Sequence, residues 1–309
     1  MTPTRAGRSF AWLAAAALLL AGCGVGGDGS GGTDPGAAAG IAPGADVVVP
    51  PVDANDALAA RVPGEIRADG RLTIGIEPTY PPNEFTAPDG TTVVGMGVDL
   101  GRAVADRLGL TAEFATGQFS GIIPGIQGGR YEAGISSFTA NPERAAVVDM
   151  VGYFSAGTSL VVRTGNPLGV RPDELCGRAV GVQAGTVQVE DVAARNADCT
   201  ASGREPIAVT ELLAQTDVTL ALATSRIDAM LADSPVASYA VTTTGGMVEV
   251  VGAPYDTAPY GIALSKDRGG YTDAVRGALQ TLIDDGTYRA ILDRWNVADG
   301  AIGTAEVSG

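Results

Sequence analysis

Two hydrophobic rhythms alternate along this chain. From Arg61 onward, short apolar runs are followed by stretches whose apolar positions recur every three or four residues. The runs RLTIGI (71–76), YEAGIS (131–136), LVV (160–162), RAVGVQ (178–183) and IDAML (227–231) read as strands. VDLGRAVADRLGL (98–110) places apolar residues at 100, 103, 104 and 108, which is one face of a helix. Further helices are expected over 186–195, 217–225, 234–243, 271–284 and 286–295. Strands alternating with helices predict an α/β fold with mostly parallel sheets.

One internal echo sharpens that expectation. GRYEAGISS (129–137) and SRIDAMLAD (225–233) share an Arg, an apolar residue, an acid, an Ala and then a strand. The first strand runs into Ser136 and Ser137, the second into Asp233. In open α/β sheets ligands bind beyond the carboxyl ends of strands. Two comparable lobes presenting strand ends to one cleft are therefore expected.

The first sixty residues follow neither rhythm. Arg5 and Arg8 precede the apolar run FAWLAAAALLLAG, which is too short to span a membrane comfortably. The run ends in LLLAGC, similar to the bacterial lipobox, which implies cleavage before Cys23 and lipidation of its thiol; the alternative is an ordinary signal peptide. Residues 24–56 are dominated by Gly, Ala, Pro and Asp, the composition of a flexible tether. Such a coil spans about 30 Å root-mean-square.

Composition narrows the chemistry. The chain has 309 residues, 45% hydrophobic and 18% charged, enough for a sizeable core and about two domains. The formal net charge is −15, and loss of residues 1–22, which carry two Arg and no acid, takes it to −17. So acidic a surface argues against nucleic acid as a partner. The absence of His removes the commonest general base and metal ligand, and no metal or cofactor is expected. Cys176 and Cys199 remain after Cys23; export to an oxidising compartment favours a disulfide over free buried thiols or a metal site.

SSFTANPERA (136–145) concentrates chemistry at a strand-to-helix junction. Asn141 suits a helix N-cap, Pro142 the first helical position, and Arg144 then lies in the first turn. The Ser137 and Thr139 hydroxyls, free helix N–H groups and a guanidinium fork together match a carboxylate. The alternative is a generic cap beside a solvated Arg. GVQAGT (181–186) ends a strand at Gly185 and starts a helix at Thr186, a second small anion site or a plain glycine turn.

The chain resembles the extracellular solute-binding proteins of polar amino-acid ABC transporters, family 3, of type II periplasmic-binding-protein fold. The motifs carrying the resemblance are RLTIGIEPTYPPNEF (71–85), GMGVDLGRAVADRLGL (95–110), GIIPGIQGGRYEAGISSFTANPERA (121–145), LCGRAVGVQAGT (175–186), RIDAMLADSPVASYAV (226–241), YGIALSKD (260–267) and DDGTYRAILDRWNV (284–297). They cover nearly all of 61–298 in order. The resemblance implies two α/β lobes, 61–159 with 258–309 and 160–257, joined by a two-strand hinge, after a signal peptide (1–22) and a tether (23–60). It implies a monomeric lipoprotein on the outer face of the cell membrane that hands an amino acid to a permease.

Residue roles follow from the same resemblance. Arg144, with Thr139, Ser136 and Ser137, would bind the ligand's α-carboxylate, assisted by Thr186 or the Val187 amide. Asp233 would bind the α-ammonium, with helix capping as its alternative. Tyr80 and Phe119 would form aromatic walls, and Glu77, Gln183 and Ala232 would line the side-chain pocket. Asn141 and Met150 depart from the usual Thr and Phe without touching this clamp. Glu77 and Asp233 make the pocket acidic, which favours a cationic or neutral polar amino acid over glutamate or aspartate. A binding protein is the leading reading. A cyclohexadienyl dehydratase-like enzyme with Glu77 as acid or base, or a sensor domain, are the alternatives.

Overall fold

The computed structural model describes residues 42–44, 46–266 and 268–309. The expected signal segment 1–22 and the expected lipidation site at Cys23 lie outside them, as does most of the expected tether. Two short helices, α1 (Asp56–Ala59) and α2 (Gly64–Arg67), precede β1 (Arg71–Ile76). Three short strands, β2 (Thr79–Tyr80), β3 (Glu84–Thr86) and β4 (Val93–Val94), form a small antiparallel sheet. Then come α3 (Met96–Arg107), β5 (Thr111–Thr116), α4 (Phe119–Gln127), β6 (Ala133–Gly134), α5 (Pro142–Val147) and β7 (Val148–Arg163). The next stretch holds β8 (Ala179–Gln183), α6 (Val187–Ala201), β9 (Ala208–Leu212), α7 (Gln215–Ala223), β10 (Ala229–Asp233) and α8 (Ser234–Thr243). β11 (Val248–Ser265), α9 (Tyr271–Asp284), α10 (Thr287–Arg294) and β12 (Val307–Ser308) complete it.

The main sheet runs β5-β1-β6-β11-β7-β10-β8-β9, with β12 on β7. Its two halves mirror each other about the β11–β7 pair. In the first half β1 pairs in parallel with β5 and β6, and β11 joins β6 antiparallel. In the second, β8 pairs in parallel with β9 and β10, and β7 joins β10 antiparallel. β7 and β11, of sixteen and eighteen residues, run through both halves, so the two lobe sheets are continuous. Their pairing slips register between Val251 and Tyr255 and again before Ala258, where the chain crosses between lobes.

The sequence echo has a structural cause. α4 and α7 both end in a left-handed residue, Gly129 and Ser225. The following Arg130 and Arg226 N–H groups reach back to Gly125 O and Ala221 O, each at 2.8 Å. The acid two residues on then braces the neighbouring strand. Glu132 accepts from Thr73 N–H at 2.7 Å and returns its own N–H to Thr73 O. Asp228 does the same with Ala179. Turn and brace together set where β6 and β10 begin, and hence where their ends reach the cleft.

Strand alternation divides the cores into layers. On β10, Ala229 and Leu231 pack on one face and Met230 and Ala232 on the other. On β11, Ile262 and Leu264 join the large first-lobe core while Ala263 faces Ile122, Ile126 and Phe138. Full burial of each Leu, Ile, Met or Phe among them contributes about 1.5–3 kcal/mol. Cys176 and Cys199 form the expected disulfide, tying the approach to β8 to the last turn of α6.

One boundary differs from expectation. The tether was placed through residue 60, yet Val49, Val52 and Leu58 pack on the first-lobe core. Asn55 caps α1, accepting from Ala57 and Leu58 N–H, and donates its own N–H to Arg107 O. Leu58 fills the space over Gly277, where a Cβ would stand 2.6 Å from it. Scattered apolar residues without periodicity suffice for this, because α9 supplies the groove.

Candidate functional site

The SSFTANPERA junction is built as a rigid corner. β6 ends at Gly134, and Ser137 takes a left-handed backbone (φ 55°) that turns the chain out of the sheet. Ser137 N–H donates to the Tyr153 hydroxyl at 3.2 Å. Ala140 N–H donates to Pro259 O, which fixes the loop against β11. Asn141 caps α5 by accepting from Arg144 N–H at 2.9 Å, with Pro142 at the first helical position.

Arg144 then points back along this corner. One guanidinium nitrogen donates to Thr139 O at 2.9 Å, another to Gly185 O of the opposite lobe at 3.2 Å. The guanidinium lies 5.4 Å from the Phe119 ring centre and 5.7 Å from that of Phe138. Those rings stack at 4.8 Å. Burial pulls the Arg144 pKa down and Asp233, then Glu190, pull it up; it stays a cation. Main-chain carbonyls and aromatic faces hold it, so its charge remains for an anion in the cleft.

The facing turn supplies N–H groups. Gly185 has φ +80°, and a Cβ there would come 3.1 Å from Ser120 of the first lobe, so the two lobes close backbone to backbone at this point. The Thr186 hydroxyl donates to Gln183 O at 2.8 Å and forms no cap bond. Its proton is thereby committed. The first-turn N–H groups of α6, Val187's among them, are the donors left for an anion.

Asp233 is the opposite pole. Tyr80 and Tyr260 hydroxyls donate to Oδ2 at 2.8 and 2.7 Å, and Gln188 Nε2 to Oδ1 at 2.7 Å. The same Gln188 amide donates to Thr158 Oγ1 at 3.0 Å. Asp233 stands at the N-cap of α8 but makes no side-chain cap bond, which removes the capping alternative. Burial raises its pKa; the Tyr260, Tyr80 and Gln188 hydrogen bonds and the Arg144 charge oppose the rise.

Glu77 is buried, not a solvated loop acid. Its Oε2 accepts from Gln183 Nε2 and from the Thr79 hydroxyl, both at 2.9 Å, and its N–H donates to Ser136 Oγ at 3.0 Å. Burial pushes its pKa up.

One pocket is lined by Glu77, Tyr80, Phe119, Ser136, Ser137, Thr139, Arg144, Gln183, Thr186, Val187, Gln188 and Asp233. The space between these side chains is about 270 Å³, counted together with the solvent it opens to. The structure therefore brings eleven of the twelve sequence-selected residues to one place. Ala232 lies behind it, in the core beneath α8. Tyr80 differs in character: its hydroxyl serves Asp233 across the lobes more directly than its ring walls the cleft.

Sequence reasoning missed Gln188, Tyr260, Asn83 and Glu84. Gln188 was legible as a first-turn residue of α6, one position past Val187. Tyr260 lay in a quoted motif without a partner to suggest its role. Asn83 and Glu84 were quoted only within the motif RLTIGIEPTYPPNEF and given no role, yet both are fully buried. Among the described residues no group of three or more His, Cys, Asp and Glu is placed to hold a metal, and no helix is long and apolar enough to cross a membrane.

A hinged α/β body with a two-signed cleft defines a class of solute-binding proteins. The chain belongs to the bacterial extracellular solute-binding proteins, family 3, whose pattern it matches over residues 72–298. It is 36% identical over 252 residues to the arginine-binding protein ArgT of Corynebacterium glutamicum, covering 81% of this chain and 82% of that one. Its structure is similar to an ancestral arginine-binding protein bound to arginine, with a TM-score of 0.68 at 33% identity over 73% of this chain and 98% of the other. It is likewise similar to an ancestral amino acid-binding protein described as a precursor of cyclohexadienyl dehydratase, with a TM-score of 0.68 at 28% identity, covering 75% and 97%. The fold is that of the type II periplasmic-binding proteins.

Proposed function

We propose that this chain binds a free L-α-amino acid with a cationic side chain, arginine first, and delivers it to the permease of an ABC importer. The observation that carries the reading is the pairing of Arg144 and Asp233 from opposite lobes on one pocket. A zwitterion needs one fixed cation and one fixed anion, both desolvated as the lobes meet. Arg144, Thr139, Ser137 and the α6 first turn receive the carboxylate. Asp233, oriented by Tyr80, Tyr260 and Gln188, receives the ammonium. Glu77, with Gln183, faces the ligand's side chain. The buried carboxyl there favours a cation, and relatives named as arginine-binding point the same way, whereas two are named for L-cystine.

In this reading the lobes, 61–159 with 258–309 and 160–257, rotate about the irregular β7–β11 crossing to admit and trap ligand. The mature protein is a monomer anchored through lipidated Cys23 outside the cell membrane, and it is not an enzyme. Glu77, the acid singled out for dehydration chemistry, is held by Gln183 and Thr79.

A thermal-shift screen of the twenty amino acids, ornithine and prephenate tests this. A ligand that binds only the folded chain raises Tm by mass action. Arginine, lysine or ornithine should give the largest shift. A larger shift from glutamate would sink the cationic reading, and aromatic product from prephenate would replace it with the enzyme.

A further inference from the structure

A buried polar cluster lies directly under the carboxylate side of the cleft. Asn83 and Glu84 have no solvent exposure. Ser137 Oγ stands 3.0 Å from one Glu84 oxygen and 3.2 Å from the other. Asn83 Nδ2 donates to the same Oγ at 3.0 Å. Gly97, in the first turn of α3, lies against the carboxyl so closely that a Cβ would come 2.4 Å from Oε1. No Lys or Arg among the described residues forms an ion pair with Glu84.

The Ser137 hydroxyl has one proton, and its direction depends on Glu84. An ionised Glu84 would take that proton and leave Ser137 only lone pairs for the cleft. It would also be a dry carboxylate whose single hydrogen-bond donor is one neutral hydroxyl, an expensive arrangement. A neutral Glu84 donates its own proton to Ser137 Oγ. Oγ then accepts from both Asn83 and Glu84, and its proton is free to face the cavity that Ser137 lines.

We infer that Glu84 is a neutral acid that donates to Ser137 Oγ and thereby aims the Ser137 hydroxyl at the ligand's carboxylate. Glu84 is a positioning residue, and this inference rests on the amino-acid reading of the site. The groups facing it agree. Glu77 from the end of β1 and Asp233 from β10 are negative neighbours, and Tyr153 and Tyr80 are neutral phenols beside it. Burial first, then those two carboxyls, holds Glu84 well above the ordinary carboxylate range, against the pull of the Ser137 hydrogen bond.

Infrared spectroscopy of the whole ligand-free protein at pH 7 reads the state directly. A protonated-carboxyl C=O band should be present and should be missing from Glu84→Gln; no such difference overturns the inference without touching the function proposed above. Calorimetry with arginine and with its carboxamide then reads the consequence. Glu84→Gln, whose amide can also donate to Ser137, should bind arginine within about threefold of the parent. The parent's arginine affinity should hold while the band persists and fall about tenfold across the pH range in which it disappears. Glu84→Gln should not show that fall, and neither protein should show it with the carboxamide. Parallel pH profiles in parent and variant would overturn the inference. If neither protein binds any amino acid while the band difference is present, the reading of the site fails with the ligand half of this inference, and only the neutral Glu84 stands.

Discussion

The two poles of the cleft are built in opposite ways. The cationic pole is one contiguous segment: Ser136, Ser137, Thr139, Asn141 and Arg144 lie within nine residues, and the turn at Ser137 and the cap at Asn141 suffice to place them. The anionic pole is a convergence. Asp233 sits at the end of β10, and its three donors come from β2, α6 and β11. Arg144 is held by carbonyls and rings that leave its charge unmatched, whereas Asp233 already receives three hydrogen bonds. In the proposed reading the first pole is therefore a preformed anion receptor. The second is a carboxylate that keeps room for one more donor beside its three, and its strength is tuned by those neighbours.

That contrast orders the mutational effects. Arg144→Ala removes the charge of the first pole outright and should cost about 2–5 kcal/mol of amino-acid affinity, measured by calorimetry. Its Tm should be preserved, since a partly desolvated cation is removed; a collapse of Tm would mean the corner depends on the Arg144 bridge to Gly185. Asp233→Asn comes next. It should weaken arginine by about 2–3 kcal/mol and its deaminated analogue far less. Equal losses would show that Asp233 serves the fold only. Tyr260→Phe and Gln188→Ala each remove one donor from Asp233 and should change affinity by about 1 kcal/mol or less, through a carboxylate still held by its other donors.

The smallest expected effect is on stability against pH. Glu77, Glu84 and Asp233 all have folded pKa values above their ordinary ones, burial being the first cause in each. The folded chain thus holds more protons than the unfolded chain just above the ordinary carboxylate range. Stability from these groups is present below that range and is lost as pH rises through the folded values. Tm should fall as pH rises above the ordinary carboxylate range, and Glu84→Gln should flatten that fall by a few degrees. An unchanged slope in the variant would place the effect on the other two carboxyls.

The same contrast explains what was readable in the amino-acid sequence. β1, β8, α3 and α8–α10 were visible because their apolar periodicity and caps are local. The brace at Glu132 and Asp228 left an echo because one solution was used twice. β11 was not visible. Val248–Ser265 carries Gly252, Pro254 and Pro259 and slips register as it crosses, so no period of two survives. β5 and β9 pair in unbroken register and were missed for a different reason, because they carry few apolar residues. At the site, the contiguous pole could be reasoned out residue by residue. Tyr260 and Gln188 acquire meaning only when three distant elements converge on Asp233. Glu84 was hidden because a carboxyl with no exposure reads, in one dimension, like any loop acid.

One cycle tests the two-pole account most directly: calorimetric affinities of the parent and Arg144→Ala for arginine and for its carboxamide. The account predicts that the parent strongly prefers arginine and that Arg144→Ala no longer distinguishes the two, with Asp233 still favouring both over deaminated analogues. Retention of the carboxylate preference in Arg144→Ala would contradict it.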